Sequence, residues 1–300
     1  MDISEISKNA KRLTVEEQQR LSLQNSRMVS QHKARMLEVE AKKHWDLFYK
    51  RNETRFFKDR HWTTREFEEL LGENVDSPRT LFEVGCGVGN FIYPLIEEKL
   101  NFNVVACDLS PRAVEMVKSN PQYDSGCMKV FQCDITTDEV FGQVDKCTID
   151  IATLIFTLSA VHPEKFVLIL KNLHKLLKPG GIVLFRDYGL YDMAQLRFKP
   201  GCKIAENFYV RQDGTRSYYF SVEEVEGLFN ESGFEVIVNS YIHRRTVNKK
   251  ENIDVPRIFL ILPEMPLEFE RPVSTLRFSW KTHFVLEFYF EGSTMKGVII

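Results

Sequence analysis

Hydrophobic and polar positions divide the 300-residue chain into regimes. Residues 1–30 are polar and weakly periodic and read as a flexible segment. Residues 31–51 place Met36, Leu37, Ala41, Trp45, Phe48 and Tyr49 on one face of a single helix. From residue 80 onward, short apolar runs (81–84, 103–108, 128–135, 149–156, 182–185) alternate with amphipathic stretches (91–96, 112–117, 166–177). Short apolar runs bounded by turn residues are strands, and the stretches between them have helical period. Alternation of this kind predicts an α/β fold, a doubly wound and mostly parallel sheet. The near-continuous run 149–156 suits a central strand buried on both faces. Ser110 before Pro111 predicts a helix N-cap and first helical position. Ser221 with Glu224 predicts a capping box on a helix through Gly233. Residues 236–241 and 256–260 read as two final strands in a hairpin.

Candidate chemistry gathers where the strands end. Glu83-Val84-Gly85-Cys86-Gly87-Val88-Gly89 is a strand running into a tight turn, and its glycines let a ligand approach the backbone closely. The spacing is GxGxG and not the GxGxxG of dinucleotide sites. A glycine turn between strand and helix is common, so alone it says little. Asp108 follows at the end of the next strand, where α/β nucleotide sites place the carboxylate that holds ribose hydroxyls. Asp134 ends the third. Each acid singly could be a solvated strand end; three along one sheet edge suggest a site.

Composition narrows the classes. Six cysteines show no CxxC pair and no metal-ligand spacing with histidine, so a reducing compartment without disulfides or zinc is expected. No apolar run has membrane-spanning length and no signal or transit pattern opens the chain, so the cytoplasm is expected, with passage into the nucleus. The formal net charge of −2 does not announce a nucleic-acid binder, but its distribution does. Between residues 42 and 65 eight basic residues, Arg55, Lys58 and Arg60 among them, are interleaved with Trp45, Phe48, Tyr49, Phe56, Phe57 and Trp62. Such a segment supplies phosphate affinity and faces on which an unpaired base can stack. For Phe48 the plainer reading, a core side chain, is preferred; for 56–62, which has no helix period, RNA contact is preferred. A second basic set (Arg197, Lys199, Lys203, Arg211, Arg216) lies in a polar insertion at 190–214 and just beyond. His162, before Pro163, reads as a loop residue at a helix start and not as a base.

The ExGxGxG run with Asp108 and Asp134 resembles the S-adenosylmethionine site of seven-stranded class I methyltransferases. His44-Trp45-Asp46-Leu47-Phe48-Tyr49, Phe56-Phe57-Lys58-Asp59-Arg60-His61-Trp62, Phe185-Arg186-Asp187-Tyr188-Gly189 and residues 206–216 resemble the tRNA N3-methylcytidine methyltransferases, most closely the serine-tRNA-specific members. The resemblance implies four regions: a flexible segment at 1–35, a basic-aromatic extension and cofactor lid at 36–79, the class I domain at 80–260, and a tail of unknown role at 261–300. It also implies a cofactor site of Trp45, Tyr49, Glu83, Gly85, Gly87, Gly89, Asp108, Asp134, Ile135 and Ile155. The catalytic residues it implies are Arg186, Asp187 and Tyr188. Contact with tRNA is implied for Arg55, Lys58, Arg60, His61, Asn207, Phe208, Tyr209, Arg211 and Arg216. The implied product is N3-methylcytidine at anticodon-loop position 32 of serine tRNAs, with seryl-tRNA synthetase as a possible aid and neither metal nor membrane.

That reaction suits the residues. N3 of cytosine carries a lone pair at neutral pH, so no strong base is required, and no Ser/His/Asp or Cys/His arrangement is evident. Asp187 is the candidate for stabilising the ring as it becomes cationic; its plainer role is partner to an arginine. Two other functions remain open at this point. A non-catalytic scaffold of the same fold would show a degraded pocket, and an NAD-linked oxidoreductase would need a different glycine spacing and a proton relay.

Overall fold

The computed structural model describes residues 5–72, 77–248, 253–266, 288–289 and 296–297. A short strand, β1 (Glu5–Ser7), precedes helices α1 (Val15–Gln24), α2 (Gln31–Val39) and α3 (Ala41–Asn52). One turn of helix, α4 (Thr63–Glu66), leads into β2 (Arg79–Val84), α5 (Ile92–Glu97), β3 (Phe102–Asp108), α6 (Pro111–Lys118) and β4 (Met128–Gln132). Then come β5 (Ile149–Ile155), α7 (Phe166–Leu176) and β6 (Leu177–Tyr188). The insertion holds α8 (Met193–Leu196), β7 (Lys203–Ala205), β8 (Phe208–Val210) and β9 (Arg216–Tyr218). It is followed by α9 (Val222–Glu231), β10 (Phe234–Val236), β11 (Ser240–Asn248) and β12 (Ile253–Pro266).

The main sheet has nine strands in the order β1-β11-β12-β6-β5-β2-β3-β4, with β10 also pairing to β12. Strands β4, β3, β2, β5 and β6 are mutually parallel, while β12 runs antiparallel to both β6 and β11. The predicted seven-stranded, mostly parallel sheet is therefore present, and β1 and β10 extend it. The chain enters at β2, winds outward to β4, and returns to β5 on the other side of β2. That reversal is the topological switch point, and the crevice beyond the carboxyl ends of β2 and β5 is where such sheets bind ligands. Successive residues along each strand serve opposite layers: Phe82 and Val84 join a core with Leu154, Phe185, Phe220 and Phe229, whereas Leu81 joins Phe91, Ile92, Ala106 and Leu184.

Several expectations are corrected in detail. The single helix over 31–51 is broken at Glu40, whose φ −93° and ψ 12° leave helical geometry. The segment expected to be flexible contains α1, capped by a reciprocal Thr14–Glu17 box. Its last residue, Gln24, is 1% exposed: Nε2 donates to the carbonyls of Gln195 (2.9 Å) and Phe198 (3.2 Å), and Oε1 accepts from Tyr209 Oη (2.9 Å). The strand expected at 236–241 is interrupted, because Asn239 spends its amide on the carbonyl of Val222 (2.6 Å) and turns the chain between β10 and β11. Strand β12 continues to Pro266, so the tail expected from 261 begins later. The Ser221 cap forms, but the Glu224 carboxylate accepts from Tyr218 Oη and does not close the box. The polar insertion carries a three-stranded antiparallel sheet, β7-β8-β9. Contacts separate residues 268–300 as a second unit, within which β13 (Phe288–Tyr289) pairs antiparallel with β14 (Lys296–Gly297).

Candidate functional site

At the switch point the turn after β2 is held open by glycine. Gly85 has φ 71°, and a Cβ there would lie 2.6 Å from the side chain of Thr157; at Gly87, φ 55°, it would lie 2.9 Å from Tyr49 Oη. Both positions combine left-handed backbone with a close neighbour, so only glycine fits. Beside this turn lies a cavity of about 360 Å³. Glu38, Lys42, Trp45 and Tyr49 from α2–α3 line it, opposite Gly85, Asp108, Leu109, Asp134 and Ile135 from the strand ends, with Phe156, Thr157, Lys165 and Arg216 completing the wall. Residues of α2 and α3 thus form part of the cavity wall. Asp46 secures α3 to the turn after β3, accepting from Ser110 Oγ (2.9 Å) and the Arg112 amide (3.2 Å). Ser110 also caps α6, with Pro111 at its first turn, as predicted.

Two carboxylates face this space with fixed orientation. Asp108 accepts the Gly87 amide on Oδ2 (2.9 Å) and the Ser110 amide on Oδ1 (2.8 Å). Burial pushes its pKa up to about 6, against the pull of those amides. Asp134 Oδ1 accepts from the amide (3.0 Å) and hydroxyl (2.7 Å) of Thr136. A carboxylate offers about four lone-pair sites, so each retains capacity for a ligand donor. Acceptors suited to a diol and to an amine, set among Leu109, Ile135 and Phe156, fit the ribose and adenine parts of the expected S-adenosylmethionine.

The structure places other predicted cofactor residues behind the wall. Glu83 is 1% exposed, does not line the cavity, and leaves Oε2 without a hydrogen-bond partner. Burial raises its pKa to about 8; Arg60 opposes this and Asp108 adds to it. Ile155 is also buried outside the lining, its carbonyl accepting from Arg60 Nη1 (3.2 Å). Gly87 lies beneath Tyr49, and Gly89 against the ring of Tyr93.

The three catalytic candidates at the end of β6 separate. Asp187 is fully buried and is not part of the cavity wall; its oxygens accept from the amides of Ser159 (2.9 Å) and Tyr188 (2.9 Å). Burial raises its pKa to about 6, while these bonds and the nearby Arg211 work to lower it. Arg186 is a strut and not a substrate contact. It is 3% exposed, pairs with Glu66, and lies 3.7 Å above Trp62 and 4.7 Å from the Phe259 ring. Glu66 also receives Arg244, so this buried acid ties the N-terminal extension to β6 and β11. Tyr188 is half-buried, 5.1 Å from the Phe156 ring and 5.7 Å from the guanidinium of Arg211. Phe156 itself has φ 58°, uncommon for a bulky residue.

The implied tRNA contacts also divide. Arg55, Lys58 and His61 are exposed. Arg60 turns inward over the Phe156 ring (5.4 Å). Phe208 and Tyr209 are corrected outright: they are 0% and 1% exposed, with Tyr209 stacked on Phe198 at 4.6 Å, and present no free face to a base. Asn207 accepts from Gln195 Nε2 (3.2 Å) on Oδ1, Arg211 donates to the Arg216 carbonyl (3.3 Å), and Arg216 is 5% exposed and paired with Glu38. In the aromatic loop Phe56 is exposed while Trp62 serves the Arg186 strut; Phe48 is buried, as the plainer reading had it. His162 caps a short helical turn, accepting the Glu164 amide (3.4 Å).

Sequence reasoning did not single out Glu38, Phe156, Thr157 or Lys165. Thr157 carried a signal, following the central strand directly; Glu38 and Lys165 carried none, since their roles depend on distant partners. Among the described residues no group of three or more His, Cys, Asp or Glu could hold a metal ion. No described helix is long and apolar enough to cross a membrane.

Comparison with known proteins adds four likenesses. Residues 49–239 match the methyltransferase domain family. The tRNA N(3)-cytidine methyltransferase METTL6 of Homo sapiens is 57% identical over 253 residues, spanning 84% of this chain and 89% of that one. The tRNA N(3)-methylcytidine methyltransferase trm141 of Schizosaccharomyces pombe is 44% identical over 224 residues, spanning 74% and 90%. Among solved structures, an S-adenosylmethionine-dependent methyltransferase from Anabaena variabilis superposes with a TM-score of 0.52 at 15% identity, over 75% of this chain and 94% of that one, a likeness of fold.

Proposed function

The chain belongs to the tRNA N3-cytidine methyltransferase family, and on that premise we propose that it uses S-adenosylmethionine to methylate N3 of a cytidine in tRNA. The observation that carries this reading is the cavity at the switch point, lined by Gly85, Asp108, Asp134, Trp45 and Tyr49. A non-catalytic scaffold of this fold finds no support, because the cavity residues are all present.

When bound, S-adenosylmethionine supplies an electrophilic methyl on a sulfonium. Asp108 and Asp134 hold the nucleoside part through their free lone pairs, and the glycine turn lets the remainder pass against backbone. Trp45 and Tyr49 exclude water. Cytosine N3 is unprotonated at neutral pH and needs no general base, so the work of the protein is placement in a dry site. Asp187 is a positioning residue: its anion, fixed by two amides at the end of β6, anchors the Ser159 turn and, from behind the wall, favours positive charge on a base held at that end of the strand. N3 lies on the pairing edge, so the target base must be unpaired or flipped out, which suits an RNA loop.

The finer assignment is position 32 of the anticodon loop of serine tRNAs, with seryl-tRNA synthetase as partner, in the cytoplasm and nucleus. Support for it is the likeness of residues 44–62 and 206–216 to serine-tRNA-specific members. Incubation with labelled S-adenosylmethionine, seryl-tRNA synthetase and total tRNA, followed by isolation of serine tRNA and nucleoside mass spectrometry, tests the reading. Label in N3-methylcytidine from serine tRNA is expected; label in another nucleoside, or in none, overturns it.

A further inference from the structure

Glu38 stands in the last turn of α2, where the N-terminal helices reach the far wall of the cavity. It accepts from Lys165 Nζ on Oε1 (2.6 Å) and from Arg216 Nη1 on Oε2. Lys165 lies just before α7 and Arg216 opens β9, and all three side chains line the cavity. Their exposures are 26% for Glu38, 38% for Lys165 and 5% for Arg216. Burial pushes the Glu38 carboxyl upward, but the bonds from Lys165 and Arg216 outweigh it and hold the group below its ordinary value. Arg216 is further fixed 5.5 Å from the Phe208 ring. Its guanidinium is therefore committed beside the cavity and not presented to an RNA phosphate. With Asp46 on Ser110 and Arg112, the α2–α3 segment is fastened at two points, one on the turn after β3 and one at the starts of α7 and β9.

We infer that Glu38 is a positioning residue that latches α2–α3 over the cavity through Lys165 and Arg216, and so sets how long S-adenosylmethionine and its demethylated product remain bound. The inference rests on the cavity being the cofactor site proposed above. Removing one partner of a partly buried charge pair acts mainly on dissociation; at Lys165, which is more exposed, solvent screens the effect.

The test is stopped-flow dissociation of S-adenosylhomocysteine from the full chain, beside calorimetry on the same samples. Failure of the folded wild-type chain to bind S-adenosylhomocysteine overturns the cofactor reading itself. Given wild-type binding, Glu38→Gln is expected to speed dissociation about tenfold and Lys165→Gln about threefold. Salt should accelerate wild-type dissociation and leave that of Glu38→Gln almost unchanged, a response that a merely structural role would not produce. Lys165→Gln alters a half-exposed side chain and keeps the test decisive if Glu38→Gln fails to fold. Arg216→Gln should also hasten dissociation while the slope of tRNA affinity against salt stays as in wild type. Wild-type dissociation rates in folded Glu38→Gln or in Lys165→Gln overturn the latch. So does an Arg216→Gln chain that keeps its cofactor and loses about one phosphate contact of salt slope.

Discussion

A carboxylate held by two backbone amides is in place before any ligand arrives, and Asp108 is such a group. Asp108→Ala should abolish S-adenosylhomocysteine binding in calorimetry while circular dichroism stays native; retained affinity would remove Asp108 from the site. Glu83, facing Arg60 with one oxygen unpaired, behaves differently. Its folded pKa, about 8, lies above the ordinary 4.5, so the folded state holds the proton more tightly. The stability this contributes is full below the ordinary value and is lost as pH rises through about 8. Glu83→Gln should therefore gain melting temperature relative to wild type between about pH 5 and about pH 8.5. An equal difference at both ends would mean that Glu83 is ionised throughout. For Asp187, replacement by Asn keeps shape and an acceptor but removes charge. Single-turnover methylation should fall at least about tenfold, with affinity for cofactor and tRNA changing much less. A fall in affinity with methyl transfer intact would make it purely structural.

Elements whose signals were local were legible: β2 with its glycines, the Ser110–Pro111 start of α6, and the apolar β5 all stand where the pattern put them. Elements fixed by distant partners were not. Nothing near residue 24 announces that its amide will serve the carbonyls of Gln195 and Phe198, so α1 read as loose chain. Nor does a basic, aromatic stretch reveal which rings are spent inside: Tyr209 on Phe198 and Trp62 on Arg186 look in sequence like Phe56, which is exposed. The candidate site was legible for its acids and glycines, and illegible for Glu38, Lys165 and the inward turn of Arg60. Because α1 is docked, its removal should destabilise the fold. Gln24→Ala strands Tyr209 Oη and two carbonyls, and should cost about 1–3 kcal/mol in denaturant unfolding. No measurable loss would show that the Gln24 bonds contribute nothing to the fold.

Across the whole molecule, 40 basic and 42 acidic residues nearly cancel, so tRNA must be held by local groups and not by a global field. Arg55 and Lys58 are exposed, and the pair that Arg55 makes with Glu53 (3.0 Å) lies in solvent, where screening makes it weak. Arg55→Ala with Lys58→Ala should weaken tRNA binding at low salt and flatten the dependence of log affinity on log salt by up to about two contacts. An unaltered slope would mean that neither meets a phosphate. The pairing of Glu38 with Arg216 spans 178 positions of chain. A ribosome adding roughly 5–20 residues per second would therefore finish α2 about ten to forty seconds before it delivers Arg216. Throughout that interval α2 lacks this partner, although α3 can already settle on Ser110 and Arg112 through Asp46. The helix that carries Glu38 is thus among the earliest parts synthesised and among the last whose contacts can be completed.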